Sequence, residues 1–199
     1  MFRDKLKICE TAALFALCIA LCTGTWAEGR QQALSGKLVR LHILAHSDSA
    51  LEQGIKLDVR DAVLAYLEPK LEKTSDSSQA ELVIMENIDG IARAARRVSQ
   101  GRPVSVSLST ERYPTRHYGS FALPAGEYRS LRVTLGEGQG QNWWCVVFPP
   151  LCTQAVLAES AYPAISSAEI ALMEREDAYR LAFRSIEIWN SLKAFFEND

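Results

Sequence analysis

Leu38-Val39-Arg40-Leu41-His42-Ile43-Leu44-Ala45 runs directly into His46-Ser47-Asp48-Ser49, and the change of character between the two halves sets the reading of the fold. Leu38, Val39, Leu41, Ile43 and Leu44 make the segment from Lys37 to Ala45 an apolar, β-prone run, which predicts a buried strand. The polar tetrad ends it, and its short side chains can satisfy the first backbone N–H groups of a following helix. Ile55, Val59, Ala62, Val63, Tyr66 and Leu67 then recur at helical spacing, with Lys56, Arg60 and Asp61 off that stripe. The pattern predicts a helix with one inward face until Pro69 interrupts it.

Working outward, Thr74 to Ser78 reads as a polar connection. Leu82, Met85, Ile88, Ile91, Ala92, Ala95 and Val98 describe a second amphipathic helix, ending at Gly101. Val104, Val106 and Leu108 alternate with Ser105, Ser107 and Ser109, the period of a strand with one dry and one wet face. Leu131, Val133 and Leu135 alternate similarly, and Trp143 to Phe148 is a continuous apolar run suited to a strand covered on both faces. Gly136-Glu137-Gly138-Gln139-Gly140 precedes strand-like sequence, not the helix a phosphate loop requires, and so predicts a hairpin turn between antiparallel strands. Thr153 to Ser167 reads as a loop, and Ala168 to Phe196 as a final helix with Ile170, Met173, Leu181, Ile186, Ile188, Trp189, Leu192 and Phe196 on its apolar positions. Segregated helices and strands predict an α+β fold: a mainly antiparallel sheet packed by two long helices and a C-terminal amphipathic helix.

The chain has 199 residues, 48% hydrophobic and 23% charged, a balance that suits one globular domain behind a short targeting segment. With a formal net charge of −2 and no run of like charges, neither a nucleic-acid groove nor a polybasic membrane patch is indicated. Arg3, Lys5 and Lys7 outweigh Asp4 and precede an apolar stretch from Ala12 to Cys22, the pattern of a signal peptide. Thr25-Trp26-Ala27 supplies small residues at the positions a signal peptidase inspects. We therefore expect residues 1–27 to be a signal peptide or, uncleaved, an N-terminal anchor, residues 28–36 a linker, and residues 37–199 a single domain. Lipid modification at Cys22 is disfavoured by bulky Leu21 before it. Cys9, Cys18 and Cys22 fall in the leader, which leaves Cys145 and Cys152; in an oxidising compartment the pair is either a disulfide or two buried thiols.

His42, His46 and Asp48 suggest a metal site, but side chains four residues apart on a strand are separated by roughly 13 Å, and no zinc-binding pattern accompanies them. No metal and no cofactor are expected. Ser47 beside Asp48 and the histidines suggests a hydrolase, yet no strand-to-helix nucleophile elbow surrounds a serine. Glu127 and Glu137 bracket a strand and read as surface carboxylates, not an acid/base pair. Trp143 and Trp144 must point to opposite faces of a regular strand. Arg112-Tyr113-Pro114-Thr115-Arg116-His117-Tyr118-Gly119 packs aromatics, cations and turn formers into a segment with little apolar periodicity. That composition suits either a binding loop or a solvated one whose aromatics close over the sheet.

Taken together, several segments resemble the stage II sporulation protein R family. They are Leu41-His42-Ile43-Leu44-Ala45-His46-Ser47-Asp48-Ser49; Lys56-Leu57-Asp58-Val59-Arg60-Asp61-Ala62-Val63-Leu64; Tyr113-Pro114-Thr115; Tyr118-Gly119; Leu123-Pro124-Ala125-Gly126-Glu127-Tyr128; Leu131-Arg132-Val133; Gly136-Glu137-Gly138; and Asn142 to Cys152, with its double tryptophan and CxxxPPxC pattern. Two positions depart from the family pattern: His46 stands where Asn is usual before Ser-Asp-Ser, and Asp58 where a basic residue usually precedes Val-Arg-Asp. The resemblance implies a protein made in the forespore and secreted into the intermembrane space between forespore and mother cell. There a membrane-embedded protease on the receiving cell would sense it and process a sigma-factor precursor, pro-sigma-E. It implies a signalling ligand and protease activator, not an enzyme, with no nucleic-acid or small-molecule partner. Arg112, Tyr113, Arg116, Tyr118 and Trp144 are the expected partner-binding residues, while Asp48, Arg60 and Asp61 organise the fold. The rival readings are a secreted hydrolase using Ser47 with His42 or His46, and an envelope-associated structural protein held by its final helix.

Overall fold

The computed structural model describes residues 2–118 and 121–151; the expected final helix, 168–196, and Cys152 lie outside the described residues. The fold is α+β. Its elements in chain order are α1 (Phe2–Ser35), β1 (Val39–Leu44), α2 (Ala50–Leu71), α3 (Ser77–Glu86), α4 (Ile88–Val98), β2 (Val104–Tyr113), β3 (Arg116–Tyr118), β4 (Phe121–Leu123), β5 (Gly126–Leu135) and β6 (Asn142–Phe148).

The chain divides into two compact units. The first contains residues 2–33 of α1 together with β3 and β4, which pair antiparallel with Tyr118 opposite Phe121. From Glu10 to Ser35, α1 is long and apolar enough to cross a membrane, 26 residues against the roughly 20 required. Leu14, Phe15, Leu17, Ile19, Leu21 and Trp26 are exposed along it. Residues 28–35, expected as a linker, are helical instead. After Gly29 this segment offers good helix formers in Arg30, Gln31, Gln32, Ala33 and Leu34, and Gly36 is the first residue beyond the helix.

The second unit holds β1, α2, α3, α4, β2 and β6, with β5 from Glu127 onward. Its sheet has the order β2-β5-β1-β6. Strand β1 is parallel to β5, Leu41 facing Leu131, and antiparallel to β6, Leu41 facing Cys145. The sheet is therefore mixed, with β1 running parallel to one neighbour and antiparallel to the other. Parallel strands need a long connection, and the chain between β1 and β5 provides one through three helices and β2. With β1 lying between β5 and β6, the glycine segment 136–140 is not a tight hairpin; it arches over the end of β1, where the Gly140 N–H donates to the Ala45 carbonyl at 2.9 Å.

Side-chain alternation divides the sheet into two faces. Val39, Leu41 and Ile43 of β1, Leu131, Val133 and Leu135 of β5, Val104 of β2 and Val147 of β6 pack with Ile55, Val59, Val63 and Leu67 of α2, Ile84 of α3, and Ile91 and Ala95 of α4. Ser49 caps α2, its side chain accepting from the Glu52 N–H at 3.3 Å. Pro69 sits inside α2, which continues to the buried Leu71. The helix expected over 82–98 is two helices. Asn87 separates them: its Nδ2 donates to the Val83 carbonyl at 2.8 Å, and its Oδ1 accepts from the Tyr66 hydroxyl at 3.0 Å. A side chain that bonds nearby backbone in this way competes with helix continuation. Gly90 then lets α4 approach α2 closely, since a Cβ there would stand 1.9 Å from the Tyr66 hydroxyl oxygen. Because the break resets the helical phase, Leu82 and Met85 of α3 are exposed, and Ala80 and Ile84 face inward.

Candidate recognition surface

The sheet face turned away from the helix-packed core carries the chemistry. Alternation that places Leu41 in the core puts Arg40 and His42 on this face, joined by Glu111 and Tyr113 of β2, Tyr128, Ser130 and Arg132 of β5, and Trp144 of β6. The rings interlock. His42 stacks on Trp144 with centroids 3.7 Å apart and planes 15° apart. Tyr113 meets Trp144 edge-on at 4.6 Å and Tyr128 edge-on at 5.7 Å. The Arg40 guanidinium lies 3.8 Å from the Tyr113 ring centroid and 4.8 Å from that of Tyr128, a desolvated cation–π arrangement.

Glu111 gathers the polar groups. Its Oε2 accepts from Ser130 Oγ at 2.7 Å and from His42 Nδ1 at 3.0 Å, while Oε1 accepts from Arg132 Nη1 at 3.2 Å. Since Ser130 gives its one hydroxyl proton to the carboxylate, the 2.6 Å contact between Tyr113 and Ser130 has the tyrosine as donor. Burial alone would raise the Glu111 pKa, but hydrogen bonds from Ser130 and His42 and the charges of His42 and Arg132 outweigh it and hold the carboxyl below its ordinary value. The second ring nitrogen of His42, Nε2, lies 3.0 Å from Asn142 Oδ1.

Beside this face, the 136–141 arch is clamped to the turn after β1. His46 Nδ1 accepts from the Glu137 N–H at 3.1 Å, and Asp48 Oδ1 from the Gln141 N–H at 2.6 Å. Lys56 Nζ donates to the Gln141 carbonyl at 3.0 Å. Burial pulls the Lys56 pKa down, and the nearby Asp48 carboxylate partly restores it. On β6, the neighbour of Trp144 points the other way: Trp143 packs against the helical core, with the Arg60 guanidinium 5.2 Å from its ring. Arg60 Nε also donates to Asp61 at 2.7 Å.

The partner-binding residues expected from sequence distribute as follows. Tyr113 and Trp144 are in direct contact. Arg112 projects exposed from β2, whereas Tyr113 is 1% exposed and supports the strand from beneath. Arg116 and Tyr118 lie in the other unit, on β3, with Tyr118 stacked on Phe121 at 5.1 Å. The segment from Arg112 to Tyr118 is thus not an irregular loop: β2 runs to Tyr113, Pro114-Thr115 interrupts, and β3 follows. The alternation that marks β2 in the sequence stops at Ser109, but the strand runs four residues further, and its period places Glu111 and Tyr113 on the same face as Ser105 and Ser107. Cys145 is buried on β6, and its expected partner Cys152 lies outside the described residues.

The hydrogen bonds of His42 and His46 go to Glu111, Asn142 and the Glu137 backbone, not to Ser47. Glu127 and Glu137 sit at opposite ends of β5, both exposed. Among the described residues no group of three or more His, Cys, Asp or Glu is arranged to hold a metal ion.

Residues 35–158 match the family model for stage II sporulation protein R (spore_II_R). A curated relative named Stage II sporulation protein R, from Bacillus subtilis (strain 168), is 35% identical over 134 residues, which are 65% of this chain and 60% of that protein. The match thus spans less than two thirds of the relative's length. No solved structure matches the chain.

Proposed function

This chain belongs to the stage II sporulation protein R family, and we propose that it acts in sporulation as an exported signalling ligand. In this reading the forespore makes it, α1 serves as signal or anchor for export, and the folded region reaches the space facing the mother cell. A membrane-embedded protease there recognises it and processes the precursor pro-sigma-E. The ligand performs no bond chemistry itself. It binds the active state of the protease more tightly than the inactive one and so shifts the population toward activity.

The observation that carries the proposal is the family match over residues 35–158, which takes in the whole sheet, the arch and the aromatic face. Arg112 and Trp144 on the sheet and, separately, Arg116 and Tyr118 on the hairpin are the proposed contacts, and Tyr113 supports Trp144 edge-on. Tyrosine, tryptophan and arginine combine large contact area with polar ends, the chemistry that dominates interface hot spots. Cys145 and Cys152 are proposed to pair after export, which would fasten the end of β6.

The test is genetic complementation. A sporulating host lacking its own stage II sporulation protein R regains sporulation when given the full chain and does not when given residues 37–199 without the leader. Equal rescue by the leaderless chain would sink the export requirement, and no rescue by a full chain shown to be folded and exported would sink the signalling role.

A further inference from the structure

We propose that His42 is a proton-operated positioning residue for Trp144. Its imidazole keeps a hydrogen on Nδ1 in both charge states, and a proton gained or lost at Nε2 reverses the side-chain amide of Asn142 at the head of β6. Only the functional consequence rests on the reading of Trp144 as a contact residue; the proton chemistry stands on geometry alone.

Two sheet registers fix the imidazole. His42 is opposite Arg132 on β5 and opposite Trp144 on β6. At Nδ1 the neighbour is Glu111 Oε2, 3.0 Å away, and an ionised carboxylate only accepts. Nδ1 therefore carries the hydrogen, the reverse of the tautomer that free neutral histidine favours. At Nε2 the neighbour is the Asn142 side-chain amide, 3.0 Å away. An amide can meet either form of the ring: its oxygen accepts from a protonated Nε2, and its NH2 donates to a bare one. The oxygen stands toward Nε2, the arrangement that suits the charged ring. A half-turn of the amide suits the neutral one without loss of a hydrogen bond.

The charged and titratable groups around the ring are Glu111 and Tyr113 from β2, Arg132 from β5, and Arg40 two residues along β1. The Trp144 face adds a cation–π attraction that only the charged ring feels. Protonation thus tightens the stack and holds the indole, and deprotonation loosens it. Asn142 is exposed, so the same event exchanges a hydrogen-bond donor for an acceptor at the surface beside Trp144.

The test is solution NMR on the full chain in detergent micelles, labelled with 15N-histidine and, separately, 15N-asparagine. The chain has three histidines, and His42 is assigned as the ring signals missing from His42→Gln. At high pH His42 is expected as the Nδ1–H tautomer. The Asn142 side-chain NH2 and Trp144 indole N–H signals are expected to shift with the same midpoint as His42, and His42→Gln to flatten both. An Nε2–H tautomer at high pH, or Asn142 signals that stay still while His42 titrates, would overturn the proposal. Because no receptor is involved, this result and the signalling reading stand or fall separately.

Discussion

His42 and Trp144 face each other across the β1–β6 ladder, their rings stacked 3.7 Å apart between centroids and 15° from parallel. Packing on one side and partial exposure on the other make Trp144 both a fold element and a surface element, in contrast to Arg112, which is exposed.

That difference separates two variants. Trp144→Ala loses its stacked and edge-on neighbours, each aromatic pair contributing about 0.5–1.5 kcal/mol beyond burial, so its urea midpoint falls. Arg112→Ala stays within about 0.5 kcal/mol of the parent, as exposed substitutions usually do. Both are expected to weaken signalling. An Arg112→Ala chain that signals at full strength would remove Arg112 from the contact set.

Glu111 sets an acid limit on stability. A carboxyl whose folded pKa lies below its unfolded value contributes stability that is present above the unfolded value and is lost as pH falls through the folded one. The Glu111 pKa is held below its ordinary 4.5, so the contribution is complete at neutral pH and disappears on acidification through and below that value. Glu111→Gln should therefore cost about 1.5–3 kcal/mol at neutral pH, the range for hydrogen bonds to charged groups, and should flatten the acid limb of stability against pH. Urea titrations from neutral pH downward check this, and parallel curves for the two proteins would contradict it.

Two glycines distinguish close approach from backbone conformation. A Cβ on Gly140 would stand 2.3 Å from the Ser47 carbonyl oxygen, a backbone atom that cannot swing aside, whereas Gly101 has φ +83° with nothing within 4 Å. Gly140→Ala should destabilise by about 1–3 kcal/mol through overpacking and disturb the arch. Gly101→Ala should cost about 1–2 kcal/mol through its left-handed backbone alone. Amide hydrogen exchange at Gln139 and Gln141 should accelerate in the first variant only.

The proposed Cys145–Cys152 pair closes a loop of eight residues, which by loop-closure entropy adds about 2–3 kcal/mol. Peptide mapping of exported, unreduced protein should recover the linked peptides. Cys145→Ser, Cys152→Ser and the double variant should be equally destabilised, while fully additive losses would show two independent thiols.

How much of this was legible in the sequence follows the range of the interactions. The step from β1 to α2 was legible because the apolar run and the Ser49 cap are local. The place of β5 between β1 and β2 was not, because pairing partners far apart in sequence leave no periodic signature; hence the expectation of a hairpin where the chain arches over β1. Asn87 was concealed inside an apolar stripe that continued past it, and only its side-chain bonds to Val83 and Tyr66 reveal why the helix stops. Opposite directions for Trp143 and Trp144 were legible from strand alternation. The network around Glu111 was not, because the apolar–serine alternation stops at Ser109 while the strand continues to Tyr113.

The most direct test of the central claim is precursor cleavage in a non-sporulating host that co-expresses the full chain, the receptor protease and pro-sigma-E, with a leaderless chain as control. The account predicts cleavage that requires the exported chain and falls in the Arg112→Ala and Trp144→Ala variants. Absence of cleavage, with export, folding and receptor expression all confirmed, would contradict it.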